Sequence, residues 1–512
     1  MKTDNKSYLF TITISLLTLI ALPACNDQLE VAPQGELTEE AIRADPAAAQ
    51  ALVTGVYNGL YSDNVYGQNF IDVSSVASDD ADKGSTPTDN PNAIPLDDLT
   101  MESNNFPVSA VWNAYYGVIA RANQALSLIP LSPAAAEIRA RYSGEVRFLR
   151  ALMYFNLVRI YGGVPLIDTV PPLAEINNPA FQRRASRESI YDFIQRDLEF
   201  AMNSLPVKGV AEYISGRATK GAAMGMLAKV FLYRQNYDRA YSLTDSLIKL
   251  PNAAGTYGLL TQYDSIWREN GENSVESLFE VQAGISTECN TAVNLYSVYQ
   301  GPRAGGQRGW RDLGFGLNTP SQSLVNEYEP NDQRSEATII FINPSPAGTV
   351  LWDGFRIPSR DSVENDRYNY KAYHSRTQES NCNNNPDRLP KNIRILRFGE
   401  ILLIHAEAAL AIGRGDEALT DITRLRTRAG LTTPLASVTR EDIWHERRVE
   451  MGMEHDRYFD LVRQEAVQPG RAVAAFAAEG KTWIKGKHEV FPIPSTQIQL
   501  SGNQLEQNPN YR

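Results

Sequence analysis

The sequence predicts a mostly α-helical protein of paired helical hairpins, interrupted by a long irregular, loop-rich region that contains short strands. Three observations predict it. Apolar residues recur at helical spacing through Ala110–Ile129 and Ala134–Tyr161, where Val146, Leu149, Ala151, Leu152, Phe155, Leu157 and Val158 give a broad apolar face. Two later stretches, within 217–250 and 395–429, place small and large residues at matching offsets. From about Ala253 to Lys391 the periodicity breaks into short β-prone pieces among Gly, Asn and Pro-rich loops.

Residues 1–24 read as a lipoprotein signal peptide. Lys2 and Lys6 precede an apolar run from Leu9 to Leu22, which falls short of the roughly 20 residues a spanning helix needs. Leu22-Pro23-Ala24-Cys25 then puts a cysteine at the first mature position, able to carry lipid on its sulfur and amine. An ordinary signal peptide or a short membrane helix is the alternative. Two or three acyl chains hold a protein on a bilayer where one lets go, so the mature chain is expected to be anchored rather than spanning. Residues 25–36 form a polar tether, and 37–512 a single domain.

Within that domain an alanine-rich helical pattern covers Leu37–Leu60. An irregular region near 61–107 follows, holding Asp79-Asp80-Ala81-Asp82-Lys83-Gly84 and several prolines. Helical repeats are expected near 110–161, 217–250 and 395–429, the first ended by Gly162-Gly163 and Pro165. In the second, Leu227-Ala228, Phe231 and Ala240 fall where a tetratricopeptide repeat puts its leucine-small pair, aromatic and close-packing alanine. In the third, Leu402, Ala406 and Ala418 repeat the offsets around the turn Gly413-Arg414-Gly415. Generic antiparallel helix packing is the alternative. The irregular regions near 61–107 and 253–391 are the expected ligand side, because binding groups favour loops carried on a rigid scaffold.

Composition narrows the function. Apolar residues at 43% and charged residues at 21% are globular values, and the net charge of −11 argues against nucleic acid as a partner. With Cys25 lipidated, Cys289 and Cys382 remain, either as a disulfide formed during export or as two free thiols. Two cysteines make no zinc site. Gly413-Arg414-Gly415-Asp416-Glu417-Ala418 mimics a dinucleotide motif but follows no strand, and Gly480-Lys481-Thr482 lacks the first glycine of a phosphate loop, Ala475 standing there. His445-Glu446 has Val449 where a metalloprotease helix needs its second histidine. No nucleophile elbow occurs. Asp79, Asp80 and Asp82 could gather a calcium ion, with a solvated acidic loop as the alternative.

Several blocks together resemble the SusD/RagB family of outer-membrane nutrient-binding lipoproteins. Residues 144–155, Gly-Glu-Val-Arg-Phe-Leu-Arg-Ala-Leu-Met-Tyr-Phe, running on to Tyr161-Gly162-Gly163-Val164-Pro165-Leu166, are the most specific. Gly216-Arg217-Ala218-Thr219-Lys220-Gly221, Arg397-Phe398-Gly399-Glu400, Glu446-Arg447-Arg448-Val449-Glu450, His455-Asp456-Arg457-Tyr458-Phe459-Asp460 and Phe491-Pro492-Ile493-Pro494 are similar to its later blocks. The resemblance implies a helical body, no enzymatic step, no cofactor, and a lid over a TonB-dependent transporter of the SusC type. Such a lipoprotein sits on the outer membrane of a Gram-negative bacterium, facing the exterior, and captures oligosaccharides or, in some members, peptides. Independently of it, Arg147, Arg150, Arg397, Glu400, Glu407, Arg447, Arg448 and Arg463 lie among apolar periodic residues, where charge is tolerated only when paired. They are expected to be structural ion pairs.

A glycan site needs exposed rings for sugar C–H faces, flanked by planar polar groups. Arg308-Gly309-Trp310-Arg311 and Tyr66-Gly67-Gln68-Asn69-Phe70 fit, the latter ahead of Asp79 and Asp80; a core role for Trp310, Tyr66 and Phe70 is the alternative. Tyr368, Tyr370 and Tyr373 are further candidates. The expected function is an oligosaccharide receptor feeding a transporter. A peptide-binding member of the same system and a glycoside-degrading enzyme are the alternatives.

Overall fold

Helices begin at the caps the chain supplies. The computed structural model describes residues 39–175, 178–250, 256–283, 295–304, 312–382 and 389–511. After a short helix at Glu39–Ala44, Asp45 accepts from the Ala47 amide and Pro46 opens α1 (Pro46–Gly59). Asn105 caps α2 (Phe106–Leu128), and α3 (Ala136–Tyr161) stops at Gly162, whose φ of +74° an L side chain resists. Ser186, Thr219 and Asn236 cap α4 (Arg187–Ser204), α5 (Lys220–Tyr233) and α6 (Tyr237–Ile248). Further on come α7 (Phe398–Ala411), α8 (Gly415–Arg428), α9 (Arg440–Met451), opened by a Thr439–Asp442 capping box, and α10 (Arg457–Val467).

These helices stack in a row: α3 against α2 and α4, α5 against α4 and α6, α6 against α7, and α7 against α8 and α9. Leu227, Ala228 and Ala240, and likewise Leu402, Ala406 and Ala418, are buried between the paired helices. The hairpins α5–α6 and α7–α8 are thus tetratricopeptide-like, and although far apart in sequence they are neighbours in space. Close approach also explains Gly221. A Cβ there would lie 2.4 Å from both Cε2 and Oη of Tyr257, whose hydroxyl is 2.8 Å from Thr219 Oγ1. Gly221→Ala is therefore expected to lower stability by about 1–3 kcal/mol through overpacking, despite alanine's better helix propensity. An unchanged urea midpoint would show that the tyrosine yields freely.

The irregular half carries β1 (Ala81–Gly84), β2 (Ser277–Val281), β3 (Leu317–Pro320), β4 (Ile339–Phe341), β5 (Thr349–Val350), β6 (Arg356–Ile357), β7 (Arg367–Asn369) and β8 (Ile393–Arg397). They pair antiparallel as β1·β3, β2·β8, β4·β7 and β5·β6. One large apolar core reaches from Ala49 to Leu505, and Phe279 on β2 meets Phe148 of α3 edge-on at 4.8 Å between centroids. A smaller cluster of Leu313, Ile340, Leu351, Ile357, Val363, Tyr368 and Tyr373 packs beneath the loops. Residues 61–107 depart from the irregular region expected of them. They form helical turns at Gln68–Ile71, Asp72–Val76 and Ile94–Asp97 together with β1, and much of the stretch is buried.

Buried charge links the helices, as the arginines and glutamates among apolar residues predict. Arg147 and Arg150 pair with Asp197 at 2.7 and 2.8 Å, Arg463 with Glu407 at 2.5 Å, and Arg447 with Glu400 and Asp460 at 2.8 and 2.7 Å. Arg397 reaches Glu450 at 2.6 Å, Glu454 at 2.7 Å and Glu276 at 3.1 Å. Burial raises the Asp456 carboxyl, but Lys229, Arg159 and Arg447 outweigh it and hold the group well below the usual carboxylate range.

His455 gives this interior a pH dependence. Burial pushes its imidazole down to about 4, outweighing the opposite pull of Glu454 and Asp456, and Nε2 lies 2.9 Å from the Tyr296 hydroxyl. An unfolded histidine titrates near 6.5, so below that pH the unfolded chain takes up a proton that the native one refuses. This group therefore removes about 1.4 kcal/mol of stability per pH unit between about 6.5 and 4. His455→Asn, which suits the backbone φ of +66°, should flatten the fall of urea midpoint across that window. Equal slopes in both proteins would exclude His455 as the source.

Candidate functional site

Most residues singled out in the sequence prove to be interior. Tyr66 and Phe70 are buried, edge to face at 5.3 Å, and Tyr66 Oη accepts from Asn156 Nδ2 at 3.2 Å. Asn69 donates to Asn64 Oδ1 at 2.5 Å. Asp79 and Asp80 correct the picture of a solvated or calcium-gathering loop, for both are buried against arginines. Asp79 takes a two-pronged bond from Arg457 at 2.7 Å on each oxygen and a contact from Arg448 at 3.0 Å; Asp80 accepts from Arg448 at 2.8 Å. Burial raises the Asp79 carboxyl, yet Arg457 and Arg448 hold it below the usual range. Asp82 is pushed up to about 6 by burial and by the neighbouring charge of Asp97, which the opposite pull of Lys481 and Arg367 does not offset. Tyr368 and Tyr373 belong to the small core, with Tyr370 at its edge.

Cys25, Cys289, Arg308, Trp310 and Arg311 lie outside the described residues, as do 1–38 as a whole. Cys382 is disulfide-bonded. The described flanks of the Trp310 segment are tied to the irregular half: Ala304 bridges to Val363, and the Asp312 carbonyl accepts from Arg376 Nη1 at 2.7 Å.

In that half the structure presents a ring not singled out from the sequence. Trp352 sits in the turn between β5 and β6 and remains 37% exposed, whereas Trp112, Trp267, Trp444 and Trp483 are buried. The Arg268 guanidinium lies 4.5 Å from the centre of the Trp352 ring and 5.3 Å from that of Tyr370. Tyr370 Oη accepts from the Trp352 amide at 2.8 Å. The next residue locks the turn: Asp353 Oδ2 accepts from Tyr373 at 2.6 Å and from Ser375 at 2.5 Å, and its carbonyl accepts from Gln378 Nε2 at 2.9 Å. Trp352, Arg268, Glu269, Asn270, Gln378 and Glu379 line an open pocket of about 520 Å³.

The chemistry of this pocket is that of recognition. It offers an aromatic surface on a rigid turn beside a guanidinium and two amide side chains, the complement of a sugar's C–H faces and hydroxyls. Its carboxylates are already engaged. Glu269 accepts from the Ser380 amide at 2.7 Å and the Ser380 hydroxyl at 2.5 Å; Glu379 accepts from the amides of Glu269 and Ser375, each at 2.7 Å. Partial burial raises the Glu269 carboxyl, but the Ser380 bonds bring it below its ordinary range, opposite to what a general acid needs. A larger groove of about 650 Å³ beside α8 has no aromatic lining among the described residues.

A stack of helical hairpins bearing an aromatic, loop-borne pocket defines a class of binding scaffold. A family model described as "SusD family" matches residues 275–511, and one described as "Starch-binding associating with outer membrane" matches residues 27–232. The chain belongs to the SusD/RagB family. It is 26% identical over 493 residues to a SusD-like protein of Bacteroides ovatus, spanning 90% of this chain and 83% of that one. A solved laminarin-binding SusD-like protein matches with a TM-score of 0.76 at 27% identity, over 91% of this chain and 99% of the other. Surface glycan-binding protein A of Bacteroides thetaiotaomicron, in complex with laminarihexaose, shares the fold with a TM-score of 0.73 at 22% identity, over 90% of this chain and 99% of that one.

Proposed function

We propose that the protein is a non-catalytic receptor that binds an oligosaccharide at the Trp352 pocket and passes it to a TonB-dependent transporter of the SusC type. The observation that carries this reading is the half-exposed Trp352 ring, held by Arg268 and Asp353 beside Asn270 and Gln378. The names of similar proteins support a sugar as ligand, and a β-glucan of the laminarin type is the first to try. Lipid on Cys25 would hold the protein on the outer membrane, facing outward, in keeping with the description of the matched family model. No helix among the described residues is long and apolar enough to cross a membrane.

The engaged carboxylates of Glu269 and Glu379 favour binding over hydrolysis at this pocket. Trp310, between Arg308 and Arg311, is a second aromatic candidate for the same ligand. The test is calorimetric titration of the chain from Asn26 onward with laminarin-type and starch-type oligosaccharides and with peptides. Saturable heat from a sugar supports the reading; heat from peptides alone would transfer the site to the peptide-binding alternative.

A further inference from the structure

On the helical side, away from Trp352, one buried histidine points at carboxylates it does not bond. His405 on α7 is only 5% exposed. Its Nδ1 lies 2.5 Å from Asp421 Oδ2 on α8, and a carboxylate accepts, so Nδ1 donates there and Nε2 is the ring atom left to face the helix opposite. Nε2 is buried and has no hydrogen-bond partner among the described residues. The polar atoms it faces are Glu417 Oε2 at 3.9 Å and Asp245 Oδ1 at 4.0 Å, too far for hydrogen bonds. All three ligand atoms lie within 4.8 Å of one another. A ring nitrogen and two carboxylate oxygens that face one another without bonding form a donor set that a cation between them would satisfy.

We propose that Asp245, His405 and Glu417 bind a divalent transition-metal ion, zinc by its ligand set, joining hairpin α5–α6 to hairpin α7–α8. Zinc bonds of about 2.0–2.2 Å to nitrogen and oxygen set tetrahedral ligands about 3.3 Å apart, so each carboxylate must approach the imidazole by roughly 0.6–0.7 Å, and the three ligand atoms, now within 4.8 Å of one another, must draw together around the ion. Both have that freedom, since the Asp245 and Glu417 side chains are 24% and 40% exposed. The surroundings orient the ligands: Tyr241 stacks on the imidazole at 4.9 Å, and its hydroxyl donates to Glu417 Oε2 at 2.7 Å. Arg414 holds the other Glu417 oxygen at 3.0 Å, and Lys249, on a largely exposed stem, would yield Asp245 Oδ1 to the ion. Imidazole with two carboxylates favours zinc over calcium or magnesium, which prefer oxygen alone, and Asp421 supplies the outer carboxylate that metal-bound histidines commonly keep.

The test is calorimetry of the purified, chelator-treated protein with zinc chloride and, separately, calcium chloride. The expected result is one saturable zinc site with no calcium heat. Zinc affinity should fall at least tenfold in Glu417→Gln and in His405→Gln, and stay unchanged in His445→Gln, whose imidazole faces Glu327 elsewhere. Zinc should also raise the melting temperature of the wild type and not of Glu417→Gln. Should His405→Gln fail to fold, the more exposed Glu417→Gln decides. Absence of saturable zinc heat, or affinity unchanged in Glu417→Gln, overturns the proposal and leaves His405 a structural residue held by Asp421.

Discussion

Replacing Glu450 with alanine is expected to destabilise the protein by about 3–5 kcal/mol, the cost of leaving buried charge without its partner. Glu450 is fully buried at the end of α9 and accepts from Arg397 at 2.6 Å, from Arg334 at 3.1 Å and, closer still, from Arg428. Burial alone raises its carboxyl; Arg428, Arg397 and Arg334 together hold it well below the usual range. Removing it takes one carboxylate partner from three buried guanidiniums, inside a chain whose net stability is about 5–15 kcal/mol. The three retain Glu276, Glu446 and Glu454 as other partners, which keeps the effect finite. Urea denaturation followed by circular dichroism reads the loss. A change below about 1 kcal/mol would mean that the remaining glutamates compensate fully and that the web is redundant.

Trp352→Ala is the second large effect, and it falls on binding rather than on stability. A central aromatic anchor contributes about 2 kcal/mol or more, so sugar affinity should drop more than tenfold. The urea midpoint should shift little, because the ring is partly exposed on a turn that Asp353 holds independently. Loss of binding together with loss of folding would instead assign Trp352 to the small core beneath the loops. Arg268→Ala should weaken binding less, since it removes the cation over the ring while leaving the aromatic surface in place.

Local pattern and distant partner explain what was legible in the sequence. The hairpins could be read because Leu227, Ala228 and Ala240 act through contacts a few helical turns away, and Leu402, Ala406 and Ala418 repeat their spacing. The ion pairs could be read in kind, since arginine inside an apolar period demands a partner, although not in their pairings. Asp79 and Asp80 could not be read at all. Their partners Arg457 and Arg448 lie 378 and 368 residues further on, and an acidic run destined for the interior has the same local signature as a solvated loop. Tyr66, Asn69 and Phe70 misled for a related reason: an aromatic-polar-aromatic stretch describes a sugar cleft and a buried turn equally well. Trp352 left a fainter signal, a tryptophan before Asp353-Gly354 in a turn between β-prone pieces, and only the tertiary structure brings Arg268 and Gln378 to it.

The measurement that tests the receptor account most directly is calorimetric titration with intact oligosaccharides, followed by chromatographic recovery of the ligand. The account predicts saturable binding of at least one sugar, recovered at its original length, with the heat lost in Trp352→Ala. A sugar recovered in shorter pieces would contradict the non-catalytic reading, and heat unchanged in Trp352→Ala would contradict the site.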